Sequence, residues 1–218
     1  MDALRTTKFA QELEKTIRGY HMVNDVPIKE AVWESVLAQS LRRADCANTW
    51  KQGGHQSGMD ILIGDQGISC KTTKMGRTSF KVSSFRMTKC NTGEEFTEEI
   101  DVKRNNYSHY CVLARTEYAE ELVYDVYVIP SSKVKATPKT WKEYKNKSGK
   151  ITKWDTDNKD GYGMMVSATM SNQLWIVLQK SAFEEFRTIK DIKIKLGQEM
   201  DYASLFEKLS LDTMGTSA

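Results

Sequence analysis

The stretch GMDILIGDQGISCKTTK, residues 58–74, decides how the chain is read. A lone carboxylate, Asp60, opens an otherwise apolar segment, and Lys71 lies on the returning one after the turn-forming GDQG. A turn centred on Asp65 and Gln66 would set Asp60 directly across from Lys71 and Leu62 across from Ser69. Alternation then sends Asp60, Leu62, Ser69 and Lys71 to one face, and Ile61, Ile63, Ile68 and Cys70 to the other. The second set is apolar enough to demand burial. A one-residue slip would misplace the isoleucines along with the charges, so the hydrophobic pattern fixes which face carries the charged pair.

The flanking sequence supplies the frame. TTKFAQELEKTIRGYHM (6–22) spaces Phe9, Leu13, Ile17 and Tyr20 as a helix does. PIKEAVWESVLAQSLRRA (27–44) reads as a second helix with Pro27 at its start. Ile28, Val32 and Val36 form an apolar row there, and Glu30 and Glu34 stand one turn apart on an adjoining face. The glycine-rich KQGGHQSG leads into the hairpin. SFKVSSFRM reads as a strand, EEFTEEIDVKRNNY as a helix beginning at Thr97 or in the preceding turn, and SHYCVLART and LVYDVYVIP as two apolar strands. A lysine-rich loop, the strands YGMMVSATM and LWIVLQ, and the helices SAFEEFRTI and DYASLFEKLS complete the order. Helices, then strands, then helices describe one α/β domain spanning 1–218, with a mixed β-sheet flanked by helices.

Composition narrows the class. The chain has 218 residues, 39% apolar and 28% charged, which is ordinary for a globular protein able to bury a core. No apolar run reaches membrane-spanning length, and the N-terminus lacks a secretory h-region. Four scattered cysteines without CxxC spacing or histidines at ligand distance argue against a zinc site and suit a reducing compartment. The expectation is a cytoplasmic protein. The net charge of +3 says less than its distribution. Lys71, Lys74, Arg77, Lys81, Arg86 and Lys89 follow one another without an acid, and eight lysines between Lys133 and Lys153 face only Glu143. An acidic island, GEEFTEEID (93–101), lies between them. Such runs suit a protein that grips phosphates, and equally a pair of solvated faces.

SGMDILI…ISCKT resembles the PD-(D/E)XK nuclease motif, in which an Asp on one strand and a (D/E)-X-Lys on the next build a magnesium site. Members of this chain length include the type II restriction endonucleases. The resemblance covers roughly residues 28–128 and implies a restriction-endonuclease-like core, with 129–218 supplying DNA-recognition strands and C-terminal helices. Two positions depart from the pattern: Met59 replaces the proline, and Ser69 replaces the acid two before the lysine. A Ser-X-Lys variant takes its second carboxylate from elsewhere. Glu34 on the preceding helix is the first candidate, and Glu98 the next, with Glu94, Glu95 and Glu99 beside it.

The resemblance implies Mg²⁺ as cofactor, held by Asp60, Glu34 and the Cys70 carbonyl, with Lys71 and Ser69 acting on the attacking water or the phosphate. Its substrate would be double-stranded DNA, cut site-specifically by a homodimer or a monomer. Candidate DNA contacts are His55, Lys74, Ser83, Ser84 and Arg86, with Ser171, Asn172 and Gln173 as a polar insertion suited to base edges. Two alternatives stand beside this reading: a non-catalytic DNA-binding protein on a degenerate nuclease fold, supported by Ser69, and a nuclease for repair or junction processing. The five tryptophans follow no stacking pattern, which makes core or hydrophobic cover their expected use.

Overall fold

The computed structural model describes residues 2–50, 59–135, 141–157, 160–168 and 171–197. Helix α1 (Thr7–His21) starts where Thr6 Oγ1 accepts the Phe9 N–H at 3.1 Å and buries Phe9, Leu13 and Ile17. Helix α2 (Glu30–Arg43) begins three residues later than its proline suggested. Lys29 is still extended, and the Ile28 N–H is taken by the Tyr124 hydroxyl at 3.2 Å. Its buried face is Trp33, Val36, Leu37, Ala38, Ser40 and Leu41; of the expected row Val36 is on this face, Ile28 is buried just before the helix and Val32 is half-buried, and Glu30 falls in the first turn.

Two five-stranded sheets follow. The first runs β1 (Ile61–Ile63), β2 (Gln66–Lys74), β4 (His109–Glu117), β5 (Glu121–Pro130) and β10 (Arg187–Lys195) in spatial order. It is mixed: β2 and β4 are parallel, and the other neighbours antiparallel. The second is wholly antiparallel: β3 (Ser79–Arg86), β9 (Gln173–Gln179), β8 (Tyr162–Ser167), β7 (Ile151–Thr156) and β6 (Trp141–Lys145). Alternation along β4 explains the layering. Cys111 and Leu113 join α1, α2 and β10 in one core, while Tyr110, Val112 and Ala114 join the second sheet in another. Helix α3 (Gly93–Arg104) packs Phe96 and Ile100 into that second core. The class is therefore α/β with helices on the mixed sheet. The expected mixed sheet is accompanied by a second sheet that the sequence pattern did not separate.

Other expectations need correction. The lysine-rich loop is in part the hairpin β6–β7, whose turn is tied by Asn146 Oδ1 accepting the N–H groups of Ser148 and Lys150, both at 3.0 Å. SAFEEFRTI is a single turn of helix, α4 (Lys180–Phe183), and a 3₁₀ turn, after which Arg187 enters β10. Of the two starts expected for α3, the preceding turn holds: the helix begins from Thr92 through a capping box with Glu95. The expected helix at 201–210 lies outside the described residues. Among the described residues no helix is long and apolar enough to cross a membrane. All four cysteines are free thiols.

Candidate active site

The hairpin keeps its faces but not its register. The turn is Gly64–Asp65, with Ile63 opposite Gln66 and Leu62 opposite Gly67. Gly64 takes φ +60°, the left-handed conformation that a two-residue hairpin turn requires and a side chain resists. Ile61, Ile68 and Cys70 are fully buried in the helical core, with Ile63 packed against it. Tightening the turn moves Asp60 away from its place opposite Lys71 and sets it against Ser69 and Cys70. Among the described residues β1 pairs with residues 66–68 alone, and beyond them a side chain meets the edge of β2. Asp60 Oδ2 accepts the Cys70 N–H at 2.6 Å and lies 3.5 Å from the Ser69 hydroxyl, itself only 3% exposed.

Lys71 finds its partner on α2. Its Nζ donates to Glu30 Oε1 at 2.7 Å, and its side chain is only 11% exposed. The other Glu30 oxygen lies 3.5 Å from Ser83 Oγ on β3. One carboxylate at the N-terminus of α2, where the helix dipole favours negative charge, thus meets a residue of each sheet. Burial pulls the Lys71 ammonium down, but the Glu30 charge and hydrogen bond, with Asp60 behind them, outweigh it and hold the amine above its ordinary range. Lys71 is therefore a cation at neutral pH.

Glu34, one helical turn beyond Glu30, faces the same cluster. Burial raises its carboxyl above the usual range, and the nearby Asp60 charge raises it further. Glu34 and the Asp60 beside it are both hard oxygen donors, a pair that fits a divalent cation such as Mg²⁺. The residues that would hold it are Asp60 and Glu34, beside the backbone of Cys70. Among the described residues no group of three His, Cys, Asp or Glu side chains is arranged as a metal centre. Water, backbone carbonyl and substrate oxygens would have to complete the shell.

The structure thus brings Asp60, Ser69, Cys70, Lys71, Glu34 and Ser83 together, and adds Glu30, which the sequence reading left unassigned. Its signal was the four-residue spacing to Glu34. The alternative acids do not reach this cluster. Glu95 closes the α3 capping box, Glu99 pairs with Lys103 at 2.9 Å, and Glu94 and Glu98 are exposed on α3.

Several expected DNA contacts are occupied elsewhere. Gln173 Nε2 donates to the carbonyls of Leu174, Phe85 and Ser84 at 2.9, 3.2 and 3.3 Å, filling the irregularity where β3 and β9 lose register. Asn172 Nδ2 donates to the Cys90 carbonyl at 2.8 Å, and the Ser171 and Asn172 carbonyls accept the Met87 N–H. The 171–173 insertion therefore serves as a brace for residues 84–90. The Ser84 hydroxyl is buried on the inner side near Tyr107 and Tyr110. Lys74 pairs with Glu117 at the far end of β2. Arg86 is exposed, and His55 lies outside the described residues. No family model, no curated protein and no solved structure matches this chain.

Proposed function

We propose that the chain is a Mg²⁺-dependent DNA endonuclease of the PD-(D/E)XK kind, with type II restriction activity as the form its motif implies. The observation that carries the reading is the convergence of Asp60, Glu34 and a buried, protonated Lys71 along β2 beyond its pairing with β1. Mg²⁺, when bound, acidifies water and offsets charge at the phosphate. Lys71, already cationic, donates to a non-bridging phosphate oxygen as charge builds there. Glu30 holds that amine in place, and Asp60 is fixed by the Cys70 N–H and Ser69. Ser69 acts as a hydrogen-bonding group in the place of the family's acid. A homodimer would match a palindromic site.

A second substrate reading, a repair or junction nuclease, is favoured by one observation: Asn172 and Gln173, the expected base readers, are held by backbone carbonyls. Incubating supercoiled plasmid and long linear DNA with Mg²⁺ or with EDTA tests both. Metal-dependent cutting lost in Lys71→Ala is expected. Discrete fragments would select the restriction form, and binding without cutting would overturn the nuclease reading.

A further inference from the structure

Strand β9 alternates: Leu174, Ile176 and Leu178 are buried in the inter-sheet core, while Trp175 and Val177 are half-buried on the opposite face. Cross-strand partners share a face, so the pairing extends that outer surface across the whole sheet. Ser83 pairs with Trp175, Trp175 with Met165, Met165 with Asp155, and Asp155 with Lys142. The row crosses five strands, about 19 Å at ordinary strand spacing. Neither apolar core includes Trp175, Met165 or Val177. A small apolar patch, Trp175 with Met165 across from it and Val177 beside it, therefore lies on the outer face, and Ser83, Asp155 and Lys142 complete the row.

Cations border it. Lys81 and Arg86 on β3 are exposed and have no carboxylate partner among the described residues. Across the sheet, Lys142 pairs with Asp157, Lys153 pairs with Asp155, and Lys153 also sits 3.9 Å over the Tyr144 ring. The β3 end of the row is Ser83, which reaches Glu30 of the candidate active site.

We propose that this outer face is a platform for an unpaired strand of nucleic acid, with Trp175 stacking on a base and Arg86 and Lys81 holding phosphates. A central aromatic is useful only to bases that are not already stacked in a duplex, and the bordering cations complement the strand's phosphates. The proposal rests on the nuclease reading only for where the strand leads: past Ser83 to Lys71. A substrate carrying a single-stranded stretch favours the repair or junction form of that reading over the restriction form.

The test is fluorescence anisotropy in EDTA with a labelled oligothymidylate and a blunt duplex of equal length, alongside circular dichroism of each variant. Trp175→Ala is expected to weaken oligothymidylate binding about 10- to 100-fold and duplex binding much less, with Trp175→Phe retaining most of the affinity. Arg86→Glu should weaken binding and reduce the salt slope by about one. Wild-type affinity in a folded Trp175→Ala, or an unchanged salt slope in Arg86→Glu should Trp175→Ala not fold, would overturn the platform. Loss of binding in these variants without any Mg²⁺-dependent cutting by wild type would leave the platform standing and remove the nuclease reading. Cutting with unaltered Trp175→Ala binding does the reverse.

Discussion

Lys71 Nζ and Glu30 Oε1 meet at 2.7 Å, joining β2, the returning strand of the hairpin, to the first turn of α2. The lysine is nearly buried and the glutamate 38% exposed, so the pair is a one-sided arrangement: solvent reaches the acid far more than the amine. A phosphate arriving from solvent would share Lys71 with Glu30.

Lys71→Ala should lower cleavage by at least about 100-fold while DNA binding in EDTA stays near wild type. Glu30→Gln should keep the amine but remove its main counter-charge. Because Glu30 and then Asp60 hold the Lys71 amine up against burial, the variant's alkaline activity limb should move to lower pH. An unshifted limb in Glu30→Gln with full cleavage would deny Glu30 its positioning role.

Metal linkage should be visible in stability. The Glu34 carboxyl titrates above its ordinary value of 4.5 through burial and the Asp60 charge. The folded chain therefore binds more protons than the unfolded one in that window, and its stability falls as pH rises through it. At neutral pH, Glu34→Gln should melt higher than wild type without metal and be catalytically weak. Mg²⁺ should raise the melting temperature of wild type and do so much less in the variant. Equal Mg²⁺ shifts in both proteins would remove Glu34 from the ligand set.

Ser69→Asp restores the acid of the common motif at a position 3% exposed and beside Asp60. Without metal, the added charge should destabilise the fold by about 1–3 kcal/mol. With Mg²⁺, part of that loss should be recovered, because a third oxygen donor is available. Urea titrations with and without Mg²⁺ measure both terms. A variant whose loss is the same under the two conditions would show that Ser69 does not face the cation.

The hairpin was legible in the sequence because its apolar face left one register parity free of cost. Ile61, Ile68 and Cys70 demanded burial whichever turn was used, so Asp60 and Lys71 share the opposite face although the turn lies one residue from its expected place. The contact of Glu30 with Lys71 was not legible, since its four-residue spacing to Glu34 marks a shared helix face but not which strand that face meets. The 171–173 brace was hidden for another reason: polar side chains that satisfy a strand irregularity have the composition of a base-reading loop. The second sheet escaped because its lysine-rich edge hairpin carries little apolar pattern, charged edge strands being a common protection against pairing.

His21 links α1 to the entry of α2. Its Nδ1 is 2.9 Å from the Asn24 carbonyl, which can only accept, so the proton sits on Nδ1. Nε2 then accepts the Tyr124 hydroxyl at 2.9 Å, and that hydroxyl accepts the Ile28 N–H two residues before Glu30. Burial lowers the imidazole below its usual 6.5, partly offset by the Asn24 carbonyl and the Asp25 charge. Protonating Nε2 would turn it into a donor facing a hydroxyl whose own proton then lacks an acceptor. The unfolded chain binds the proton more readily, so this contribution is complete above pH 6.5 and is lost as pH falls below it. His109 is lowered as well, with burial as the main cause, so the informative quantity is the difference between wild type and His21→Gln. Wild type should lose stability faster on acidification from about pH 7 to about pH 5.5, by at most about 1.4 kcal/mol per pH unit. Superimposable slopes in thermal melts of the two proteins would show that the buried His21 imidazole is not proton-linked to folding. Tyr124→Phe, which removes the hydroxyl but leaves the imidazole buried, should keep most of the wild-type slope, since burial is the main cause of the lowered imidazole.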